Sequence, residues 1–129
     1  MSQADIATLE LVYAEWACGD FSRVDIYAPD IEFVYSADFP DPQVFRGVEE
    51  MVDGWRRWLH EWHDVRLAAE EFIDLDPMVL VDIMLSGSGK GSGAPIRERG
   101  ANLWTFRDGK AVRIEAFSSM DSARRAAGL

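Results

Sequence analysis

His60 and His63 stand three residues apart, a separation at which two side chains on one helix can share a metal ion. No cysteine or third histidine lies near them, and histidines beside the negative end of a helix need no metal to account for them. The sequence therefore predicts no metal site. The run Ser86–Gly93 sets Lys90 among glycines and serines as a phosphate-binding loop would, but its spacing is wrong and a strand follows instead of a helix. It reads as a strand connection. Asp38 and Asp41 bracket a proline-rich stretch, where turn formation accounts for them, and the lone Cys18 reads as a small packing residue. Asp82 and Glu115 lie inside strand-like segments and could do acid–base chemistry only by facing an interior. Trp55, Trp58 and Trp62 recur at helical spacing, which suits a core or the wall of a pocket.

The charge balance narrows the partners. Thirteen basic residues against 23 acidic ones leave a net charge of −10, which repels polyphosphates and offers no cationic footprint. Nucleic acid and anionic membrane are not expected as partners. No apolar run approaches the ~20 residues of a membrane span, no secretory pattern opens the chain, and one cysteine cannot form an internal disulfide. These features predict a cytoplasmic setting. With 129 residues, 48% of them hydrophobic, residues 1–129 suffice for a single domain around a single core.

Elements that could position these residues follow from periodicity. Ile6, Leu9, Tyr13 and Trp16 mark one face of a first helix that Gly19 ends. Asp20 is placed to cap a short second helix from Phe21 to about Tyr27, before an extended segment Ile31–Tyr35. Met51, Trp55, Trp58, Leu59 and Trp62 predict a third helix over Val48–Trp62, with Glu49 and Glu50 in its first turn. Four long strands follow, at about Val65–Leu75, Met78–Ser86, Ile96–Arg107 and Lys110–Ser119, then a short helix over Asp121–Ala127. Asp108-Gly109 is a strong hairpin signal. Helices followed by an antiparallel meander give an α+β pattern.

Gly19-Asp20, then Phe45-Arg46-Gly47 opening the Trp-rich helix, then Gly93-Ala94-Pro95-Ile96, Arg99-Gly100-Ala101 and the stretch Trp104–Lys110 occur in that order over nearly the whole chain. Together they resemble the SnoaL-like family of the nuclear-transport-factor-2-like superfamily. The resemblance implies a cone: a curved, mostly antiparallel mixed sheet wrapped around three helices from the N-terminal half, with a central pocket. Strand parity then assigns Val79, Val81, Ile83 and Leu85 to the concave face, and Leu80, Asp82, Met84 and Ser86 to the convex one. Similarity to the family's isomerases points Gly100, Asn102 and Trp104 inward, with Ile114, Ala116 and Ser118 on the last strand and Phe33 and Tyr35 on the first. Val12 and Trp16 on the first helix, and Met51, Trp55 and Trp58 on the third, complete the implied ligand-binding wall.

Family members include polyketide cyclases, ketosteroid isomerases, epoxide hydrolases, dehydratases and non-enzymatic binding proteins, so the resemblance assigns no activity. The isomerase base falls on Tyr35, its helix tyrosine on Val12 and its protonated acid on Asn102. None of the three residue types is kept. The epoxide-hydrolase acids and arginine fall on Ala116, Ile83 and Leu85, and the acid of the cyclases falls on Ala116, with Glu115 one place off on the opposite face. Tyr35 and Asn102 remain as catalytic candidates, an amide that can polarise a carbonyl and a phenol that is a poor base at neutral pH. The expected ligand is a small hydrophobic molecule, a polycyclic or terpenoid carbonyl compound, handled without a cofactor by a cyclase or isomerase, or held by a non-catalytic binding module or sensor. A core filled by its tryptophans is the third alternative. Leu80, Met84, Leu103 and Phe117 form an apolar patch on the convex face, which predicts a homodimer through the sheets.

Overall fold

Leu9, Val12, Tyr13 and Trp16 are all buried, so the apolar stripe of α1 (Ser2–Ala17) is its inner face. The computed structural model describes residues 2–129. Gly19 ends the first helical segment in the left-handed region, at φ 83°. The second helix expected over Phe21–Tyr27 does not form. Asp20 spends its carboxylate on the Ser22 backbone N–H and hydroxyl, at 3.0 and 2.6 Å, a local turn that competes with capping. Arg23 is drawn back to α1 by a two-point pairing with Glu15, at 2.7 and 2.9 Å.

The chain then enters β1 (Tyr27–Tyr35), longer than the segment predicted because Tyr27 already pairs with Ala111. A bulge between Tyr27 and Glu32 accommodates Pro29, which has no N–H for a ladder. β2 (Gln43–Arg46), not anticipated as a strand, pairs antiparallel with β1, Phe33 opposite Phe45. Gly47, at φ 86°, turns the chain into α2 (Val48–Leu59). That helix stops three residues before the predicted end, and Trp62 instead opens β3 (Trp62–Leu75). β4 (Met78–Gly89), β5 (Pro95–Arg107) and β6 (Lys110–Phe117) complete the expected meander. Asp108 and Gly109 both adopt positive φ, as a tight hairpin requires. α3 (Met120–Ala126) follows, its end capped by the Ser119 hydroxyl accepting from the Ser122 N–H at 3.2 Å.

The six strands form one mixed, curved, open sheet in the order β2-β1-β6-β5-β4-β3, antiparallel except for β1 against β6. The α+β cone implied by the sequence is present. Its helices, however, are two in the N-terminal half and one at the C-terminal end.

Register fixes the faces, because cross-strand partners share a side. Val79, Val81 and Ile83 pair with Trp104, Asn102 and Gly100, and these positions turn toward α1 and α2. Asp82 pairs with Ala101 and Glu115 with Leu103, both convex. There Asp82 meets Arg99 at 3.3 Å and Glu115 meets Arg113 at 3.2 Å. Leu80, Leu103 and Phe117 are not exposed as the sequence suggested. They form a second buried cluster closed by Ala123, with Met120 and Ala127 packed against it, because α3 folds back over that face. Among the described residues no helix is long and apolar enough to cross a membrane.

Candidate ligand-binding site

A cavity of about 740 Å³ opens between the concave sheet, α2 and the loop that follows β1. That volume lies within the ~300–1,000 Å³ of small-molecule sites. Its inner wall is apolar and largely aromatic: Trp16 from α1, Phe33 from β1, Phe45 from β2, Trp55 and Trp58 from α2, Ile83 and Ala116 from the sheet. The charged lining residues Asp41, Arg57, Glu61, Glu98 and Arg99 are all exposed and form the rim.

Two polar side chains of the inner part are the sequence-based candidates Tyr35 and Asn102. Tyr35 is half-buried, edge-on to Phe33 at 5.1 Å and Phe39 at 5.5 Å. Burial raises its pKa above the usual phenol value, so it holds its proton and suits donation rather than base work. Asn102 is buried, with Nδ2 2.7 Å from the Tyr13 phenol oxygen, and Trp104 Nε1 approaches that same oxygen at 2.9 Å. Desolvation holds the Tyr13 phenol far above its ordinary pKa, although both neighbours pull it down.

Eleven of the residues expected on the inner face border the cavity: Trp16, Phe33, Tyr35, Trp55, Trp58, Ile83, Leu85, Gly100, Asn102, Ala116 and Ser118. Val12, Met51, Val79, Val81, Trp104 and Ile114 do not; each is at most 1% exposed and lies behind the wall. The deep end of the cone is plugged by aromatic rings, Trp104 packing on Tyr13, Trp16 and Tyr27 at 5.8–6.4 Å between centroids. The tryptophans thus fill the apex and leave the mouth open, between the filled-core and open-pocket alternatives.

Ser118 stands at the rim with its hydroxyl engaged. Its Oγ and N–H donate to the Asp38 carboxylate at 2.7 and 3.1 Å, and the Ser36 hydroxyl also donates to it. Burial opposes ionisation of Asp38, yet the hydrogen bonds from Ser118, Ser36 and Ser122 outweigh it and lower the pKa. The turn role read for Asp38 thus takes the form of a clasp between the loop and the end of β6. His60 caps α2 through its backbone N–H while His63 lies on β3, and no group of three metal-ligating side chains occurs among the described residues.

Sequence reasoning did not assign Phe21, Phe39, Phe45, Val65 or Leu67 to the wall. Val65 and Leu67 alternate along β3 and were accessible to the parity argument used for β4. Tyr13 was read as part of the helix face, but its link to Asn102 has no signal in a single sequence.

Solved structures share this architecture. A proposed SnoaL-like polyketide cyclase from Jannaschia sp. CCS1 superposes with a TM-score of 0.79 at 15% identity, covering 97% of this chain and 92% of the other. TerC, crystallised with polyporic acid, superposes at 0.74 with 20% identity, covering 98% and 99%. AclR, a proposed hydroxylase from Streptomyces galilaeus, superposes at 0.74 with 20% identity, covering 99% and 87%. Identities this low speak for the fold alone. No curated protein matches the sequence. The family model of the SnoaL-like domain does match, over residues 9–114, and the chain therefore belongs to the SnoaL-like domain family.

Proposed function

We propose that the cavity binds a small, largely apolar carbonyl compound, polycyclic or terpenoid, whose rings stack among Trp16, Phe33, Trp55 and Trp58 and whose oxygen meets Asn102. One observation carries this reading: an aromatic-walled cavity of about 740 Å³ with a buried amide on its inner surface and its charges confined to the rim. Such sites owe affinity to apolar burial and orientation to a few polar groups. The crystallisation of the similarly folded TerC with polyporic acid accords with it.

A cofactor-free cyclase or isomerase is the catalytic form of the same reading, with Asn102 polarising a carbonyl and Tyr35 donating a proton. That chemistry also needs a base. Asp41, Glu61 and Glu98, the carboxylates of the lining, are exposed at the rim. Binding without turnover, by a carrier or sensor, is therefore the better supported form.

Titration with hydrophobic ketones tests the reading. Quenching of tryptophan fluorescence and a raised melting temperature are expected, a ligand at a hundred times its Kd adding about 2.7 kcal/mol of stability. Asn102→Ala should weaken the complex without unfolding the protein. Absence of both quenching and thermal shift across a ketone panel would count against it, and product formation would favour the enzyme. A second copy on the convex face, expected on apolar grounds, would now meet α3 and the charged rows of Glu32, Arg113 and Glu115. Sedimentation velocity distinguishes the pair from a monomer.

A further inference from the structure

The phenol oxygen of Tyr13 carries more hydrogen-bond partners than one orientation of Asn102 can satisfy. Trp104 Nε1, 2.9 Å away, can only donate to that oxygen. With the amide nitrogen toward Tyr13, Asn102 Nδ2, 2.7 Å away, would donate to it as well. The oxygen would then accept twice while the phenol's own proton, deep in the core, would have no acceptor. An unmade hydrogen bond in such a place is costly.

Turning the amide by half a rotation exchanges Nδ2 and Oδ1, two positions that only the hydrogen-bond network distinguishes. A separation of 2.7 Å matches the usual O–H···O distance and falls short of the usual N–H···O distance. With the amide turned, the network runs in one direction. Trp104 N–H donates to the Tyr13 oxygen, Tyr13 O–H donates to Asn102 Oδ1, and neither the indole nor the phenol proton is left over. The free end of the amide then carries two N–H donors. It has no protein partner among the described residues, and Asn102 borders the cavity.

We infer that Tyr13 is a positioning residue that fixes the polarity of the pocket: by holding Asn102 Oδ1 it turns the amide N–H donors toward the ligand. The site accordingly selects a ligand presenting an acceptor oxygen over one of the same shape presenting a donor. This selectivity rests on the reading that the cavity takes a ring-bearing apolar compound. The amide orientation rests on the protein alone.

Three tricyclic probes of similar outline separate the contributions: fluorenone with a carbonyl acceptor, carbazole with an N–H donor, and fluorene with neither. Wild-type protein is expected to bind fluorenone about tenfold more tightly than carbazole, and to lower the carbonyl stretching frequency of the bound ketone. In Tyr13→Phe the amide loses its restraint, so the preference should fall toward parity and the frequency shift should shrink, while fluorene binds as before. A preference for carbazole in the wild type, or an unchanged ratio in Tyr13→Phe with fluorene binding intact, overturns the inference. Neutron diffraction of the deuterated wild type decides the orientation even where Tyr13→Phe does not fold. Nuclear density for a deuteron between the Tyr13 oxygen and Asn102 Oδ1 is expected, and an ND2 group facing Tyr13 overturns it. If no probe binds while the nuclear map shows the expected orientation, the ligand class and its selectivity fall and the role of Tyr13 toward Asn102 stands.

Discussion

Tyr13 and Tyr35 are both phenols on the inside of the cone, yet their hydroxyls do different work. The Tyr13 oxygen holds Trp104 and Asn102, each buried, so removing it leaves two buried polar side chains without their partner. Tyr13→Phe should cost about 1–3 kcal/mol, read as a lower urea midpoint at unchanged m-value. The Tyr35 hydroxyl donates to no described side chain and borders the cavity, so Tyr35→Phe should change stability by no more than about 0.5 kcal/mol. Equal losses in the two variants would mean that the Tyr13 contacts contribute nothing net. The contrast was not legible in the sequence. Helical spacing puts Val12 and Tyr13 alike near the inner stripe of α1, and only the tertiary path of β5 decides which side chain reaches Asn102.

The loop between β1 and β2 is held by a few side chains. Asp38 joins it to the end of β6 through Ser118 and Ser36, and the same loop brings Phe39, Pro40 and Asp41 to the cavity rim. The lowered pKa of Asp38 makes this clasp sensitive to acid. An Asp whose folded pKa is depressed contributes stability above its unfolded value, near ~3.9, and loses that contribution as pH falls through the folded value. A carboxyl-carbon titration followed by NMR should give Asp38 a midpoint below the ordinary one, and Ser118→Ala should move it back up. An unshifted midpoint in the wild type would show the clasp to be open in solution. Elements with strong local signals were legible: α1 from its stripe, the meander from alternation, the β5–β6 hairpin from Asp108-Gly109. The helix expected at Phe21–Tyr27 failed because Asp20 satisfied Ser22 instead of a helix end. β2 escaped notice because four residues, half of them polar, carry too little alternation, and only pairing with β1 makes them a strand.

At the scale of the molecule the sheet separates two apolar regions, one under α1 and α2 and one under α3. The convex patch was visible in the sequence, but its cover was not, since a seven-residue helix does not announce which surface it returns to. The concave region contains all three tyrosines of the chain, and each has its pKa raised chiefly by burial. Tyr27 adds a buried hydroxyl with no hydrogen-bond partner among the described residues. This has a consequence for the whole fold in alkali. A group whose folded pKa exceeds its unfolded value contributes stability below the unfolded value and loses it as pH rises toward the folded one. For phenols the unfolded value is near ~10, so above that pH the unfolded chain releases protons that the native state retains. Tyr13 and Tyr27, the two most deeply buried, then each remove about 1.4 kcal/mol of stability per pH unit, together about 3 kcal/mol, and the half-buried Tyr35 adds less. Against the ~5–15 kcal/mol typical of a domain, about two pH units suffice to unfold one at the lower end of that range. Phenolate absorbance and circular dichroism followed together should therefore change in one cooperative step above pH ~10. Three independent ionisations near ~10 with the dichroism intact would mean that the rings are reached by solvent in the native state, and with it that the cone is open to its apex.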